Sequence, residues 1–395
     1  MKKVLTPPIV LLIMFSSVIA CTQKATETPV LEQVQIETAA SEKPSSEITS
    51  TEPTAAGVIA KESTNENEVV IFTDSAGREV EVPANISRIA VSGPLAQIAV
   101  FALAPDKMVG IAEEWTPEAE LYLPTEYYQL PVLGQLYGGK GELNLETLFA
   151  SNAQVVIDVG EPKKTIVEDL DSLQEQTGLP FVHITAHLDG MGDAYRMLGK
   201  LLNMEGEAEV LATYCDDVYA RTMKIMDNVG ENGKASLLYL LGNTGLNVIA
   251  KGSYHAEVID MLANNLAVVE SPSSKGTGNE TDMEQILIWD PDVIIFAPDS
   301  IYETVASDPT WQSLSAIQKG SFYKVPFGPY NWLGFPPSVQ RYLGMIWMTQ
   351  LLYPDAAEYD LYSEVARHYE LFYHANLTEN QYNALVANSI NKVKQ

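Results

Sequence analysis

The polar and apolar positions after residue 68 alternate between two kinds of segment. Short, nearly continuous apolar runs predict buried strands, and longer stretches with an apolar residue at every third or fourth position predict helices. The predicted strands include residues 88–92, 155–159, 181–184, 235–241 and 293–296, with helical patterns between them. Strands that alternate with helices are typical of parallel βα units. The pattern therefore predicts an α/β protein.

One long segment departs from this rhythm. Residues 188–229 keep a helical period with few helix-breaking residues, and a bend is expected near residues 204–206. The α/β regions on either side share the order strand, helix, strand, helix, strand. We therefore predict two α/β lobes joined by one long rigid helix. A ligand cleft would lie between the lobes, at the carboxyl ends of their strands.

The first residues predict export and a lipid anchor. Lys2 and Lys3 precede an apolar run at 9–15 and small residues at 16–17, which is typical of a secretory signal. Residues 18–21 (VIAC) then resemble a bacterial lipobox, in which Cys21 is acylated and becomes the first residue of the mature chain. The protein would be held outside the cytoplasmic membrane by acyl chains. The alternative is an ordinary signal or short anchor, although so short a run cannot cross a hydrocarbon core of about 30 Å.

Composition separates the start of the chain from the folded part. Residues 22–68 consist largely of Thr, Ser, Glu, Pro and Ala, and cannot bury enough apolar surface to offset their ordering entropy. The predicted domains are a signal peptide at 1–20, a disordered tether at 21–68, an N-terminal lobe at 69–187, the connecting helix at 188–230 and a C-terminal lobe at 231–395.

The charge of the chain disfavours some partners. The formal net charge of the 395 residues is −28, and most of it belongs to the part after the tether. Such a field repels nucleic acid and anionic lipid head groups, but it does not exclude a small anionic ligand that meets local donors. Cys215 is the only cysteine besides Cys21, so a mature chain acylated at Cys21 has no intramolecular disulfide.

Signatures of enzymes and of metal sites are missing from the sequence. The chain has no G-x-S-x-G elbow and no Walker A loop. Its five histidines are scattered, and none pairs with another at the spacing of a metal site, so directly bound zinc or manganese is not expected. An axial Tyr or His ligand to haem remains open. Two competing interpretations are an anchored hydrolase with paired carboxylates and an anchored adhesin or scaffold.

Four phrases of the sequence resemble one family. They occupy residues 73–91 (TDSAGREVEVPANISRIAV), 101–112 (FALAPDKMVGIA), 283–296 (MEQILIWDPDVIIF) and 323–354, which includes PFGPYNWLGFPP. In content, order and spacing they are similar to the periplasmic-binding-protein family for iron complexes. That resemblance implies two lobes with limited closure and a siderophore, haem or corrinoid as cargo for an ABC importer. An oxyanion such as molybdate is the runner-up, because some relatives carry one.

The resemblance also implies how the protein meets its transporter. Members of the family dock on the permease through one acidic residue on each lobe, and the matching positions here are Glu146 and Glu284. Each stands at the start of a short helix just before an apolar strand. Charge-assisted contacts with arginines on the permease would orient the docking. The alternative is two ordinary surface glutamates at helix starts, where the helix dipole favours them.

Aromatic and amide side chains on loops are the candidates for ligand contact. The loop at 327–334 (FGPYNWLG) follows a strand, and its two rings around an amide suit a flat or apolar ligand. Both rings could instead fill the core of the lobe. Arg341 could bind a carboxylate or hydroxamate oxygen of the ligand, or pair with a structural carboxylate. The residues expected at the cleft are Gly93, Pro94, Trp115, Tyr137, Tyr254, Tyr330, Asn331, Trp332 and Arg341.

Together these features predict a binding protein and not an enzyme. The expected function is capture of an iron complex by an exported, lipid-anchored substrate-binding protein that delivers it to an ABC permease and its ATPase. The protein is expected to be a monomer, to need no cofactor of its own, and to touch the membrane only through its lipid.

Overall fold

The computed structural model describes residues 68–137 and 142–390. All the described residues belong to one compact unit, Ser63–Gln395. The predicted signal peptide, Cys21 and nearly all of the predicted tether lie outside the described residues. Within those residues, no helix is both long enough and apolar enough to cross a bilayer.

The first lobe is built on a three-stranded parallel sheet. The sheet has the order β3-β4-β5, and β1 and β2 form a separate antiparallel hairpin. All residues of β4 are buried, which explains the continuous apolar run of its sequence. The elements are β1 (Val69–Thr73), β2 (Glu79–Pro83), β3 (Ile89–Val91), α1 (Pro94–Leu103), α2 (Thr125–Tyr128), α3 (Leu145–Ala150), β4 (Val155–Gly160), α4 (Ile166–Thr177) and β5 (Phe181–Thr185).

Two helices, not one, connect the lobes. They are α5 (Met191–Leu202) and α6 (Glu205–Val229), and the chain turns between them at Asn203, whose φ of 53° is left-handed. The helices pack antiparallel, because Gly199 faces Ala208 near the turn and Gly192 faces Asp216 further along. The prediction of a single helix over 188–229 was therefore wrong. The 25 residues of α6 are the long connecting element.

The second lobe has a larger, mixed sheet. Its strands have the order β11-β10-β6-β7-β9, with β8 also paired to β6. The central strands β6, β10 and β11 are parallel, whereas β7 is antiparallel to both neighbours. The elements are β6 (Ser236–Leu241), β7 (Asn247–Val248), α7 (Glu257–Leu262), β8 (Asn264–Asn265), β9 (Asn279–Glu280), α8 (Met283–Trp289), β10 (Val293–Phe296), α9 (Tyr302–Val305), α10 (Ser315–Lys319), β11 (Phe322–Lys324), α11 (Arg341–Leu352), α12 (Leu361–Tyr373) and α13 (Glu379–Val386).

One hydrophobic core runs through both lobes. It contains buried side chains of α1 in the first lobe, of α5 and α6, and of α11 and α12 at the end of the chain. Phe101 of α1 lies 5.5 Å from the ring of His374, just after α12, so the last helices pack on the first lobe as well. Helix α12 therefore contacts the first lobe, and the predicted bounds of the two lobes stay a prediction.

Candidate functional site

A cavity of about 450 Å³ lies at the carboxyl edge of the second-lobe sheet. It opens where β6 and β10 end and where the chain leaves β11, which is the place where open α/β sheets bind ligands. Its volume is in the usual range for small-molecule sites, about 300–1,000 Å³. The lining residues are Leu241, Gly242, Asn247, Gly276, Thr277, Ala297, Pro298, Asp299, Phe327, Asn331 and Phe335. All of them belong to the second lobe.

Phe335 forms a fixed aromatic wall of this cavity. Its ring stacks on His255 at 4.9 Å with an angle of 18° between the planes, and meets the edge of Tyr239 at 5.9 Å. His255 is held in turn by a contact of 3.1 Å between its Nδ1 and the carbonyl oxygen of Gly334. A Cβ at Gly276 would approach the Phe335 ring to 3.0 Å, so the absence of a side chain there lets the opposite wall come close.

Two polar side chains at the cavity, Asn331 and Tyr239, are hydrogen-bonded to each other. The Asn331 amide nitrogen donates to the Tyr239 hydroxyl at 2.8 Å, and its oxygen accepts from the backbone N–H of Leu333 at 2.8 Å. Burial raises the pKa of Tyr239 above its ordinary value, and the negative charge of Asp299 acts in the same direction. The phenol therefore stays neutral, and Asp299 at the same cavity is exposed.

The predicted ligand loop divides between cavity and core. Asn331 lines the cavity, but Tyr330 and Trp332 are only 2% and 0% exposed and pack in the shared core. Antiparallel bridges join Asn331 to Phe327 and Phe335, so the three cavity residues share one side of the turn. The expectation that both Tyr330 and Trp332 line the cleft was wrong, because neighbouring residues in this extended turn face opposite sides.

None of the described first-lobe candidates lines the cavity. Trp115 is buried, with its Nε1 donating to the carbonyl oxygen of Tyr127 at 3.0 Å. Tyr137 donates from its hydroxyl to Asp169 at 2.6 Å. Gly93 and Pro94 stand half-buried at the start of α1, with Pro94 as its first residue. The loop at 138–141 lies outside the described residues.

Tyr254 and Arg341 belong to a contact between the lobes. The Tyr254 hydroxyl donates to the carbonyl oxygen of Ala186 in the first lobe at 2.6 Å. The Arg341 guanidinium lies 4.9 Å from the centre of the Tyr254 ring and forms an ion pair with Glu257. Arg341 is 1% exposed, so of the two roles left open for it, the structure has the pairing with a structural carboxylate.

Several residues of the cavity were not predicted from the sequence. For one of them, Asp299, the sequence does contain a signal of ligand contact. Asp299 follows the buried strand β10 by three residues, in the sequence Ala-Pro-Asp. A polar residue directly after a central parallel strand is where ligand contacts are expected. Asn247, Gly276 and Thr277 carry no comparable signal, since only the tertiary fold brings their loops to this edge. Among the described residues, no group of three His, Cys, Asp or Glu side chains could hold a metal ion.

Comparison with known proteins now places the chain in a family. The model of the family described as periplasmic binding protein matches residues 100–328, more than half of the chain. The chain is a periplasmic binding protein. No curated protein matched it.

Solved structures of periplasmic binding proteins share its fold. An ABC transporter solute binding protein from Sulfurospirillum deleyianum has a TM-score of 0.74 and 25% identity, over 80% of this chain and 99% of that one. A periplasmic solute binding protein from Veillonella parvula has a TM-score of 0.66 and 27% identity, over 82% and 98%. The molybdate-bound periplasmic binding protein MolA from Haemophilus influenzae has a TM-score of 0.63 and 19% identity, over 78% and 99%, which is a likeness of fold.

Membership of the family fixes the general role of the protein. It is the substrate-binding protein of an ABC transporter, it binds a small molecule, and it works with a permease and an ATPase. The family is one of solute-binding proteins and not a class of enzymes, so the hydrolase interpretation falls. A periplasmic binding protein works outside the cytoplasm.

Glu146 and Glu284 occupy matching places in the two lobes of this periplasmic binding protein. Each is the exposed second residue of a helix, α3 or α8, that precedes the central parallel strand of its lobe. The N-cap of each helix is also alike, because Asn144 accepts from the N–H of Thr147 at 3.0 Å and Asp282 from that of Gln285 at 2.8 Å. Both helices expose a large apolar side chain: Phe149 on α3 is 50% exposed and Ile288 on α8 is 69% exposed.

Proposed function

We propose that this protein captures an iron complex or a similar metal chelate, such as a siderophore, haem or corrinoid, and hands it to its permease. The observation that carries the proposal is the cavity at the carboxyl edge of the second-lobe sheet. Its volume of about 450 Å³ and its aromatic side chains, Phe327 and Phe335, suit the organic shell of a chelate better than a bare ion. The four phrases that resemble the iron-complex family support the same cargo.

The proposal can be tested by the ligand that the protein carries. Native mass spectrometry of protein purified from its natural host should detect a co-purifying species that contains iron and an organic ligand. Calorimetric titration of the ligand-free protein with iron chelates should then give binding with one molecule per chain. The proposal fails if the folded protein carries no such species and binds no chelate.

An oxyanion such as molybdate is the second candidate of the same fold class. The molybdate-bound protein from Haemophilus influenzae shares the fold with this chain at 19% identity. Oxyanion sites are built from converging N–H and cationic donors. The side chains at the cavity instead include five apolar ones and the carboxylate of Asp299. Titration with sodium molybdate separates the two candidates directly.

Docking on the permease is proposed to use Glu146 and Glu284. Their exposed carboxylates and the neighbouring apolar groups Phe149 and Ile288 suit a partner surface with arginine and apolar side chains. Replacing both glutamates by Ala should reduce uptake by about tenfold or more, because buried charge pairs at interfaces cost several kcal/mol to break. Ligand affinity in solution should not change.

The matched control for docking removes one exposed glutamate from each lobe at other places. Glu175 on α4 and Glu358 before α12 are both exposed, so the Glu175→Ala/Glu358→Ala variant has the same net charge as the docking variant. Normal uptake by the control and loss by the docking variant support the proposal. Weakened ligand binding in the docking variant contradicts it.

Attachment through a lipid on Cys21 is also proposed. Its support is the lipobox-like sequence at residues 18–21. The Cys21→Ala variant should be released from membranes, whereas the wild type should fractionate with them and incorporate labelled fatty acid. A variant that stays on the membrane, together with a wild type that takes up no label, would contradict this anchor.

A further inference from the structure

The charge of the cavity limits which chelates it can accept. Of the described residues that line the cavity, Asp299 is the only one that ionises, and none is a lysine, arginine or histidine. None of the ion pairs formed by the described residues includes Asp299. Its carboxylate is therefore an uncompensated negative charge at the mouth of the site.

The neighbouring polar groups do not offset this charge. The Asn331 amide has its nitrogen engaged with Tyr239 and its oxygen with the N–H of Leu333. Arg341, a buried cation of the same lobe, does not line the cavity and is already paired with Glu257. An anion in the cavity would thus lose part of its hydration and meet a carboxylate, with only neutral donors such as Asn247 and Thr277 in place of the lost water.

The remaining surface of the cavity suits an apolar part of the ligand. Phe335 is fixed by its stack on His255, and Phe327 and Pro298 add apolar surface near Asp299. A ring held in place contributes contact area at little cost in ordering entropy. A ligand that matches this surface carries an apolar face toward the phenylalanines and a positive or neutral region toward Asp299.

We infer that the site selects neutral or positively charged chelates and discriminates against anionic ones, with Asp299 as the residue that determines this preference. The inference rests on the proposed capture of a metal chelate and specifies its charge class. It also disfavours the oxyanion candidate. Asp299 is exposed, so solvent screens its charge; for unit charges about 6 Å apart at an effective dielectric constant of about 40, repulsion corresponds to a loss of about tenfold in affinity for each negative charge near Asp299.

The test measures the affinity of the full-length protein for four probes by calorimetric titration. Ferrioxamine B is a cationic chelate, ferrichrome is neutral, ferric enterobactin is a trianion, and molybdate is a bare dianion. We expect the cationic and neutral chelates to bind, and both anions to bind at least tenfold more weakly or not at all. Equal or tighter binding of either anion would overturn the inference.

Variants of Asp299 show whether that residue sets the preference. Asp299→Asn should weaken the cationic chelate about tenfold or more and leave the neutral one unchanged, and Asp299→Lys should shift the preference toward the trianion. Glu175→Lys, at an exposed site in the first lobe, makes the same change in net charge as Asp299→Lys and should leave the preference as in the wild type. If Asp299→Lys and Glu175→Lys behave alike, the preference does not come from Asp299 and the inference fails.

The outcomes separate this inference from the proposed function. If the folded wild-type protein binds chelates without regard to their charge, chelate capture stands and only the charge preference falls. If it binds no chelate of any charge while its melting curve remains cooperative, both fall.

Discussion

The buried imidazole of His368 should make the stability of this protein depend on pH. His368 is 0% exposed, stacks on Phe372 at 4.5 Å, and contacts the Tyr214 hydroxyl through Nδ1 at 3.3 Å. No other hydrogen-bond partner is within reach of its Nε2 in the described part of the chain. Burial lowers the pKa of His368 from 6.5 to about 3, because the charged form would lose its hydration without gaining an anion.

The sign and size of the effect follow from this shift. In the folded state His368 stays neutral down to a pH of about 3, whereas in the unfolded chain it binds a proton below its ordinary pKa of 6.5. The unfolded state therefore binds more protons between these values. Its contribution to stability is fully present above pH 6.5 and is lost progressively as the pH falls toward 3. At about 1.4 kcal/mol for each pH unit, the free energy of unfolding should drop by about 2 kcal/mol between neutral pH and pH 5.

The His368→Phe variant isolates this contribution. Phenylalanine keeps the stack on Phe372 but cannot titrate, and loss of the Tyr214 contact costs about 1 kcal/mol at every pH. Urea unfolding at pH 7 and pH 5 should show that the wild type loses about 2 kcal/mol more than the variant between the two conditions. His374→Asn, at the exposed left-handed residue after α12, controls for removal of a histidine. Equal losses in wild type and His368→Phe would refute the reasoning.

Further predictions concern the core loop and the contact between the lobes. Trp332→Ala should lower the free energy of unfolding by about 3–5 kcal/mol, since the ring is wholly buried. The ligand affinity of the folded protein should stay unchanged. Thermal melting and calorimetric titration of the same sample check the two outcomes. Glu257→Gln should destabilise by about 3 kcal/mol or more in urea unfolding, because Arg341 would be left as a buried unpaired charge. Tyr254→Phe should cost only about 1 kcal/mol, since a single hydrogen bond to the Ala186 carbonyl is lost. A larger loss for Tyr254→Phe than for Glu257→Gln would contradict this ranking.

The strands could be predicted because a strand that is buried on both faces has a nearly continuous apolar sequence. The apolar run at 155–159 became β4, Val155–Gly160, and the run at 293–296 became β10, Val293–Phe296. Each of these strands has a parallel neighbour on both sides and is largely buried, so nearly every position is apolar. The alternation with helices then determined the fold class without knowledge of any tertiary contact.

A bend was expected near residues 204–206, next to the observed turn at Asn203, but the full reversal of the chain there could not be predicted in the same way. The apolar period continues from α5 into α6 because both helices present one face to the same core. Only the backbone of Asn203, in the left-handed region, reverses the chain between them. Asparagine tolerates that conformation better than most residues, but an asparagine within a helical pattern is too common to mark a turn by itself.

The ligand site stays a prediction: it was expected between the lobes, at the carboxyl ends of their strands, and the cavity at that edge is lined by second-lobe residues alone. The rule that ligands bind at the carboxyl ends of parallel strands points to this edge, and Asn331 was predicted to lie there. The sequence does not reveal which residues of the turn face the cavity. Large rings were chosen there as contacts, whereas the structure buries Tyr330 and Trp332 and exposes Phe335 to the cavity.

The links between the lobes bear on how the protein selects its ligand. The Tyr254 hydroxyl bonds to Ala186 at 2.6 Å, and the Thr116 hydroxyl bonds to the carbonyl oxygen of Pro329 at 2.5 Å. A continuous core of α1, α5, α6, α11 and α12 joins the same two bodies. A large rigid-body closure would have to break these hydrogen bonds and repack this core, and close-packed cores resist such changes. A protein whose lobes move little cannot select its ligand by the extent of closure. On the proposal that the cavity holds the ligand, discrimination comes from the residues that already line it, where Asp299 carries the only charge among those described.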